Sequence, residues 1–220
     1  LKNLSTVGGR KFSEELISLG KNYYKKINKG TWDPIGVIKD RNVLIIGPGI
    51  SAIKYKSKII KFIKKNKPLV FVLNAINPVP KKFIFANVVC HTLRLLSDIN
   101  KYKKTNNYLI TPFSSFSNSI KTKIRSKKIL NFGIQVKNNR FKFHKNYAVL
   151  PNSLAITYAL GICTSGECKN IFFAGLDGYN KTSPKKFEMD EVLQNYKLEK
   201  KAIKIVSLTP TNYKIKKIKI

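Results

Sequence analysis

The residues best suited to chemistry open with Gly47-Pro48-Gly49-Ile50-Ser51-Ala52, which fits G-x-G-x-x-G/A directly after an apolar run. In that pattern the glycines let the backbone turn tightly and approach a phosphate held by amides at a helix start. Two readings stand: a phosphate cradle formed by residues 47–51, or a tight strand-to-helix turn with no ligand. Ser51 either donates to the phosphate or caps the helix.

Residues further along the chain narrow the ligand. An NAD-type site needs Asp or Glu at the end of the second strand for the ribose hydroxyls, and this chain offers Asn74 there. Hydride transfer is disfavoured, and the absence of Gly-Lys-Ser/Thr argues against a P-loop NTPase. The Asn74 amide can read a ribose or a base edge, or close its own loop. Gly175-Leu176-Asp177-Gly178-Tyr179 places a rare acid at the end of another apolar run, the edge where open α/β sheets bind ligands. Asp177 is a candidate general base, a ligand-hydroxyl acceptor or a turn cap, and His91 a second acid-base candidate. Asn87, Gly178 and Tyr179 are candidates to face substrate, whereas His144 reads as a surface residue. No Asp-x-Asp follows a strand, and Glu188, Asp190 and Glu191 fall in a predicted helix. No metal site and no permanently bound cofactor is therefore expected.

Short apolar runs alternating with longer basic amphipathic stretches must position these residues, which is the signature of βαβ units. Strands are expected at Val43–Ile46, Leu69–Leu73, Phe83–Ala86, Tyr108–Thr111, Ile129–Phe132, Ile171–Ala174 and Ile203–Val206. A helix running to about Lys65 should turn Ile53, Ile59, Ile60 and Ile63 toward the sheet, and another begins near Thr92. Residues 135–143 read as a hairpin insertion turning at Asn138-Asn139. Asn152 or Ser153 is expected to cap a helix with Leu154, Ala155, Tyr158, Ala159 and Ile162 on its apolar face. A charged helix covers 187–201. Residues 1–40 read as an arm or linker with one or two short helices, anchored by Trp32, and 41–220 as the domain proper. The predicted fold is α/β and Rossmann-like: a mostly parallel sheet flanked by helices, with a short helical N-terminal arm and a hairpin insertion.

The 220 residues carry 43 Lys+Arg against 11 Asp+Glu, a formal charge of +32. All but five of the cations are lysine, spread over every segment beside abundant Asn and Ile. Nucleic-acid readers concentrate Arg for bidentate contacts, so a solvated basic surface with only non-specific attraction for polyanions is favoured over a dedicated nucleic-acid protein. The cysteines Cys90, Cys163 and Cys168 make no even framework and read as reduced and structural. No apolar run approaches the ~18 residues of a membrane span, and no leader-like segment opens the chain, so a cytoplasmic location is expected. The chain starts at Leu1 and its only methionine is Met189, which reads as a processed product or an excised piece of a longer polypeptide.

Gly47-Pro48-Gly49-Ile50-Ser51, Asn74, Asn87, the Pro151-Asn152-Ser153 helix start and Gly175–Tyr179 together resemble, in order and spacing, the small Rossmann-like bacterial sialyltransferases and the related pterin pyrophosphokinase-like proteins. The likeness covers residues 43–180. It implies a CMP-linked nucleotide sugar as substrate and a glycan acceptor. The Gly47 loop and Asn74 would hold the cytidine nucleotide, Asn152 and Ser153 would meet its phosphate, and Asp177 and Tyr179 would border the sugar. Pro48 and Ile50 replace the family's usual Asn and Pro, and no His follows His144 where the family places its catalytic one. A different base is then required, or sugar transfer does not occur. Residues 90–96, 149–160 and Ser207–Tyr213 are also similar to a domain that follows an HMG-CoA-lyase-like aldolase barrel in bacterial surface-glycan proteins. That second likeness implies an aldolase barrel in the same polypeptide and a non-catalytic module here.

Overall fold

Strands buried on both faces read as unbroken apolar runs, and those runs become the middle of one parallel sheet. The computed structural model describes residues 4–7, 10–13, 24–76, 78–180 and 182–220. Its main strands are β3 (Asn42–Ile46), β4 (Leu69–Leu73), β5 (Ala86–Val88), β6 (Tyr108–Thr111), β7 (Ile129–Asn131), β11 (Asn170–Ala174), β12 (Ile205–Ser207) and β13 (Lys216–Lys217). They lie in the order β13-β12-β11-β3-β4-β5-β6-β7, with every pairing parallel. The direction of winding reverses between β3 and β11, which sets the loops after these two strands side by side at the carboxyl edge, where open α/β sheets usually bind ligands.

The alternation along β3 sorts its side chains into two cores. Leu44 and Ile46 pack with Ile59 and Ile63 of α3 (Lys56–Asn66), while Val43 and Ile45 pack with the layer that includes Met189, Val192 and Tyr196 of α8 (Pro184–Leu198). The expected single helix after Gly49 is two: α2 (Ile50–Lys54) ends at Tyr55 before α3 begins. That break changes the buried face, so Ala52 meets the sheet and Ile53 is 69% exposed, contrary to the expectation for Ile53. The helix from Thr92 also breaks, at Asp98, into α4 (Thr92–Ser97) and α5 (Ile99–Lys103). The buried Asp98 carboxylate pairs there with Arg94 and Lys101. A further short helix, α6 (Asn118–Ile124), lies between β6 and β7.

α7 (Ala155–Ser165) is buried along nearly its whole length, not on one face alone. Its outer side is covered by a second sheet of β8 (Gly133–Val136), β10 (Tyr147–Leu150) and β9 (Lys142–Phe143). This corrects the hairpin expected across Asn138-Asn139. Asn139 does turn the chain, with φ 53°, but β8 runs parallel to β10 and the true hairpin joins β9 to β10. The Tyr158 hydroxyl donates to the Phe132 carbonyl and ties α7 to this layer.

Within the N-terminal segment, β1 (Leu4–Val7) and β2 (Arg10–Ser13) pair antiparallel, and the helix expected from Ser13 falls largely outside the described residues. Tyr24–Ile27 form a turn instead of a helix, and α1 (Ile35–Ile38) is one short turn. Tyr24 is buried, its hydroxyl donating to the Cys90 carbonyl, and Trp32 packs edge-on against Phe132 at 6.4 Å. Among the described residues, no helix is long and apolar enough to cross a membrane.

Candidate functional site

At the switch point the two glycine loops close on each other. The Gly47 amide donates to the Ala174 carbonyl and the Gly49 amide to the Gly175 carbonyl, each at 2.8 Å. Gly49 has ordinary backbone angles (φ −64°, ψ 152°), so contact, not conformation, requires glycine there. A Cβ on Gly49 would lie 2.6 Å from the Asp177 carboxylate and 2.7 Å from the Gly175 carbonyl. Gly175 itself sits at φ +64°, where a side chain is strained.

Asp177 reaches across from the second loop to the start of α2. Its Oδ2 accepts the Ser51 amide at 3.0 Å and its Oδ1 accepts the Ser51 hydroxyl. Thr209, just beyond β12, completes the clasp: its Oγ1 lies 2.9 Å from Ser51 Oγ and accepts the Gly175 amide at 3.0 Å. The anionic group at this helix start is thus the protein's own carboxylate, in the position where the sequence pattern anticipates a phosphate. Among the described residues, only the Ile50 amide of the loop is left without a protein acceptor, since Pro48 has none to donate. Pro48 and Ile50 are exposed, and each Asp177 oxygen retains a lone pair for a ligand hydroxyl. The segment after Thr209 braces the Asp177 loop: Thr211 Oγ1 donates to the Leu176 carbonyl and the Asn212 amide to the Asp177 carbonyl, both at 2.7 Å. Gly178 lies against Asn212, and Tyr179 is 46% exposed beside Lys185.

Asn74 and Asn87 form a second group on the same edge. Asn74 turns the chain at φ 59°, its amide donates to the Val88 carbonyl, and its carbonyl accepts the buried Asn87 side chain at 2.8 Å. A third group surrounds Cys90 and His91. The Cys90 thiol donates to the Ser153 carbonyl, and burial pushes its pKa up to about 12. Burial, with Arg94 second, holds the His91 imidazole below its usual range, which favours the neutral base. Neither Asn152 nor Ser153 is the cap of α7; Leu154 is, and Asn152 Oδ1 accepts the Leu154 amide while its Nδ2 donates to Glu188. Among the described residues, no hydrogen bond joins His91 to Asp177, so the two acid-base candidates belong to different groups.

His91 is a candidate from the sequence, whereas the other polar groups beside it carry no motif. His91 Nδ1, Thr92 Oγ1, Thr111 Oγ1 and Ser115 Oγ are buried without a partner, all at or just beyond the carboxyl ends of β5 and β6. Buried polar atoms are normally satisfied, so these four mark a place for water or a polar ligand; among the described residues four more, Tyr102 Oη on α5, Asn107 Nδ2 before β6, and Thr157 Oγ1 and Ser165 Oγ on α7, are also unpaired. Lone threonines carry no spacing signal; the only cue to Thr111 and Thr209 is their place at the end of, or just beyond, the predicted strands 108–111 and 203–206. A hollow of about 620 Å³ lies at the opposite edge and is lined by Asp33, His144, Glu167 and Lys201 among others. Among the described residues, no cluster of three His, Cys, Asp or Glu side chains is placed to hold a metal ion.

No protein-family model matches this chain, and no curated protein matches it by sequence. Among solved structures it is similar to the MAf glycosyltransferase from Magnetospirillum magneticum, with a TM-score of 0.54 and 9% identity over 93% of this chain. The chain spans 38% of that structure's length. At this identity the likeness establishes a shared fold: a mostly parallel α/β sheet flanked by helices.

Proposed function

We propose that this chain is a nucleotide-sugar-binding, glycosyltransferase-like domain, with a CMP-activated sugar as donor and a surface glycan as acceptor. One observation carries the reading: four buried polar atoms, on His91, Thr92, Thr111 and Ser115, lack a partner at the carboxyl ends of β5 and β6, on the same edge of the sheet as the switch point between β3 and β11. The fold it shares with a glycosyltransferase supports the same class.

In this reading Asn74 and Asn87 meet the cytidine, and the neutral His91 imidazole, with Nδ1 unpaired, serves as the base. Asp177, already holding Ser51, accepts a sugar or ribose hydroxyl with its spare lone pairs, and Tyr179 borders the sugar. Gly47, Gly49 and Ser51 act by fixing Asp177. The exposed Ile50 amide and the Asn152-Ser153 segment that leads into α7 meet the phosphate. Catalysis would then consist of orientation and neutralisation of the leaving phosphate.

Cys90–Leu96 and Ser207–Tyr213, which carry the likeness to an aldolase-associated module, would be assembled in the same way by a non-catalytic partner domain. Isothermal titration with CMP, CDP and NAD separates the two readings. Saturable binding that prefers the cytidine nucleotides supports the donor site, and a folded protein that binds none of them at millimolar concentration removes it.

A further inference from the structure

The clasp residue Thr209 also lines a groove that runs along α3. Two adjoining hollows of about 430 and 480 Å³ share Lys58, Ile218, Lys219 and Ile220 and run between α3 and the chain after β12. Lys58, Lys61 and Lys65 stand on one wall and Lys217 and Lys219 on the other, and no acidic side chain lines either hollow. The floor is apolar, from Tyr55, Phe62, Leu208 and Ile218. The α3 lysines are spaced i, i+3, i+7, which sets them about 4.5 and 6 Å apart along the helix.

We infer that this groove holds an acidic oligosaccharide, the acceptor chain of the reaction proposed above, on which the inference rests. A linear acidic glycan presents carboxylates at a regular repeat for the ammonium groups and C–H faces for the apolar floor. Its end would lie beside Thr209, whose hydroxyl touches Ser51 in the clasp. A nucleic acid fits less well. The groove contains no Arg for bidentate contacts, and its aromatic rings are already engaged, Phe62 against Phe172 at 5.0 Å and Tyr55 under Lys58. A lipid surface needs a protruding apolar face, and this one is recessed.

The probes are a labelled oligogalacturonate, its methyl-esterified neutral form and a single-stranded oligonucleotide of equal charge, followed by fluorescence anisotropy. Lys58, Lys61 and Lys65 are exposed, so the triple change Lys58→Gln, Lys61→Gln, Lys65→Gln should leave the fold intact. Lys103→Gln, Lys104→Gln, Lys123→Gln removes the same charge from exposed positions elsewhere. The groove triple should weaken oligogalacturonate binding about tenfold, since each exposed ion pair contributes a fraction of a kcal/mol, and the control triple less than about twofold. The neutral ester should not bind. Equal losses in both triples, equal binding of the oligonucleotide with the same loss, or no oligogalacturonate binding each overturns the assignment. CMP affinity should be unchanged in the groove triple, and its loss there would merge the groove with the nucleotide site and overturn the assignment as well. A wild type that binds oligogalacturonate but not CMP keeps the groove and removes the donor-site reading alone.

Discussion

Adding one methyl group at Gly49 should break the clasp between the two glycine loops. Alanine fits the backbone angles of Gly49, so the cost comes from the contacts of its Cβ: the Asp177 carboxylate at 2.6 Å and the Gly175 carbonyl at 2.7 Å. Gly175 is fixed by its own contacts at φ +64°, with its amide on Thr209. Asp177 must therefore yield, and it loses its hydrogen bonds to the Ser51 amide and hydroxyl. Hydrogen bonds to charged groups contribute about 1.5–3 kcal/mol each, and partial exposure of Asp177 lowers the sum to about 2–4 kcal/mol. For a domain of this size the melting temperature should fall by about 5–15 °C. The comparison is Gly36→Ala in α1, where nothing lies within 4 Å of the added carbon; it should be neutral or stabilising by up to about 1 kcal/mol. Urea and thermal melts measure both. In the double variant Gly49→Ala, Asp177→Ala the cost should be less than the sum of the single changes, because the clash partner is gone. A Gly49→Ala protein that melts with the wild type, or strictly additive costs, would refute the clasp.

Three further outcomes are expected from the same geometry. Both histidines are held below their unfolded range, His91 by burial and Arg94, His144 by burial and neighbouring lysines. In that case the unfolded chain binds more protons between the folded and unfolded pKa values, so stability is full above about pH 6.5 and falls as the pH drops through that window. Urea midpoints against pH should show this slope, and His91→Gln should flatten it. A slope of opposite sign contradicts the burial of His91. All three thiols are buried, with Cys90 pushed up to about 12 and Cys163 well above its usual value, so a thiol reagent at pH 8 should react slowly with the native chain and fully after denaturation. Tyr158→Phe leaves the buried Phe132 carbonyl unpaired and should cost about 1–3 kcal/mol by urea titration.

The sequence announces the strands that are mostly buried. β3, β4, β6 and β11 match the apolar runs that predict them to within one residue, because a central parallel strand has no wet face, and β7 at the sheet's edge falls inside its predicted run as well. β5 lies later than expected. Pro80 leads into a 3₁₀ turn at Lys81–Phe83, and the register with β4 begins at Ala86 opposite Phe71, so Phe85 stacks beside the strand on Phe71 instead of opening it. The pairing of β8 with β10 was hidden, because alternation reports which face is buried and not which strand lies alongside. The same loss affects α7, whose second buried side depends on that unseen sheet. In the site, the sequence identifies both glycine loops and the carboxyl edge, but not that Asp177 fills the helix start of Ser51 from 126 residues away. The pattern at Gly47 is common to turns that cradle a phosphate and turns that accept a neighbouring loop, and only the fold decides between them.

Hydrogen–deuterium exchange with and without CMP is the sharpest test of a nucleotide site at the carboxyl edge, because it reports both whether the nucleotide binds and where. Exchange should slow in peptides covering residues 47–53, 74, 87–92 and 175–179, with the amino-edge hollow around Glu167 and Lys201 unchanged. Protection confined to that opposite edge, or none at saturating CMP in a folded protein, would contradict the assignment.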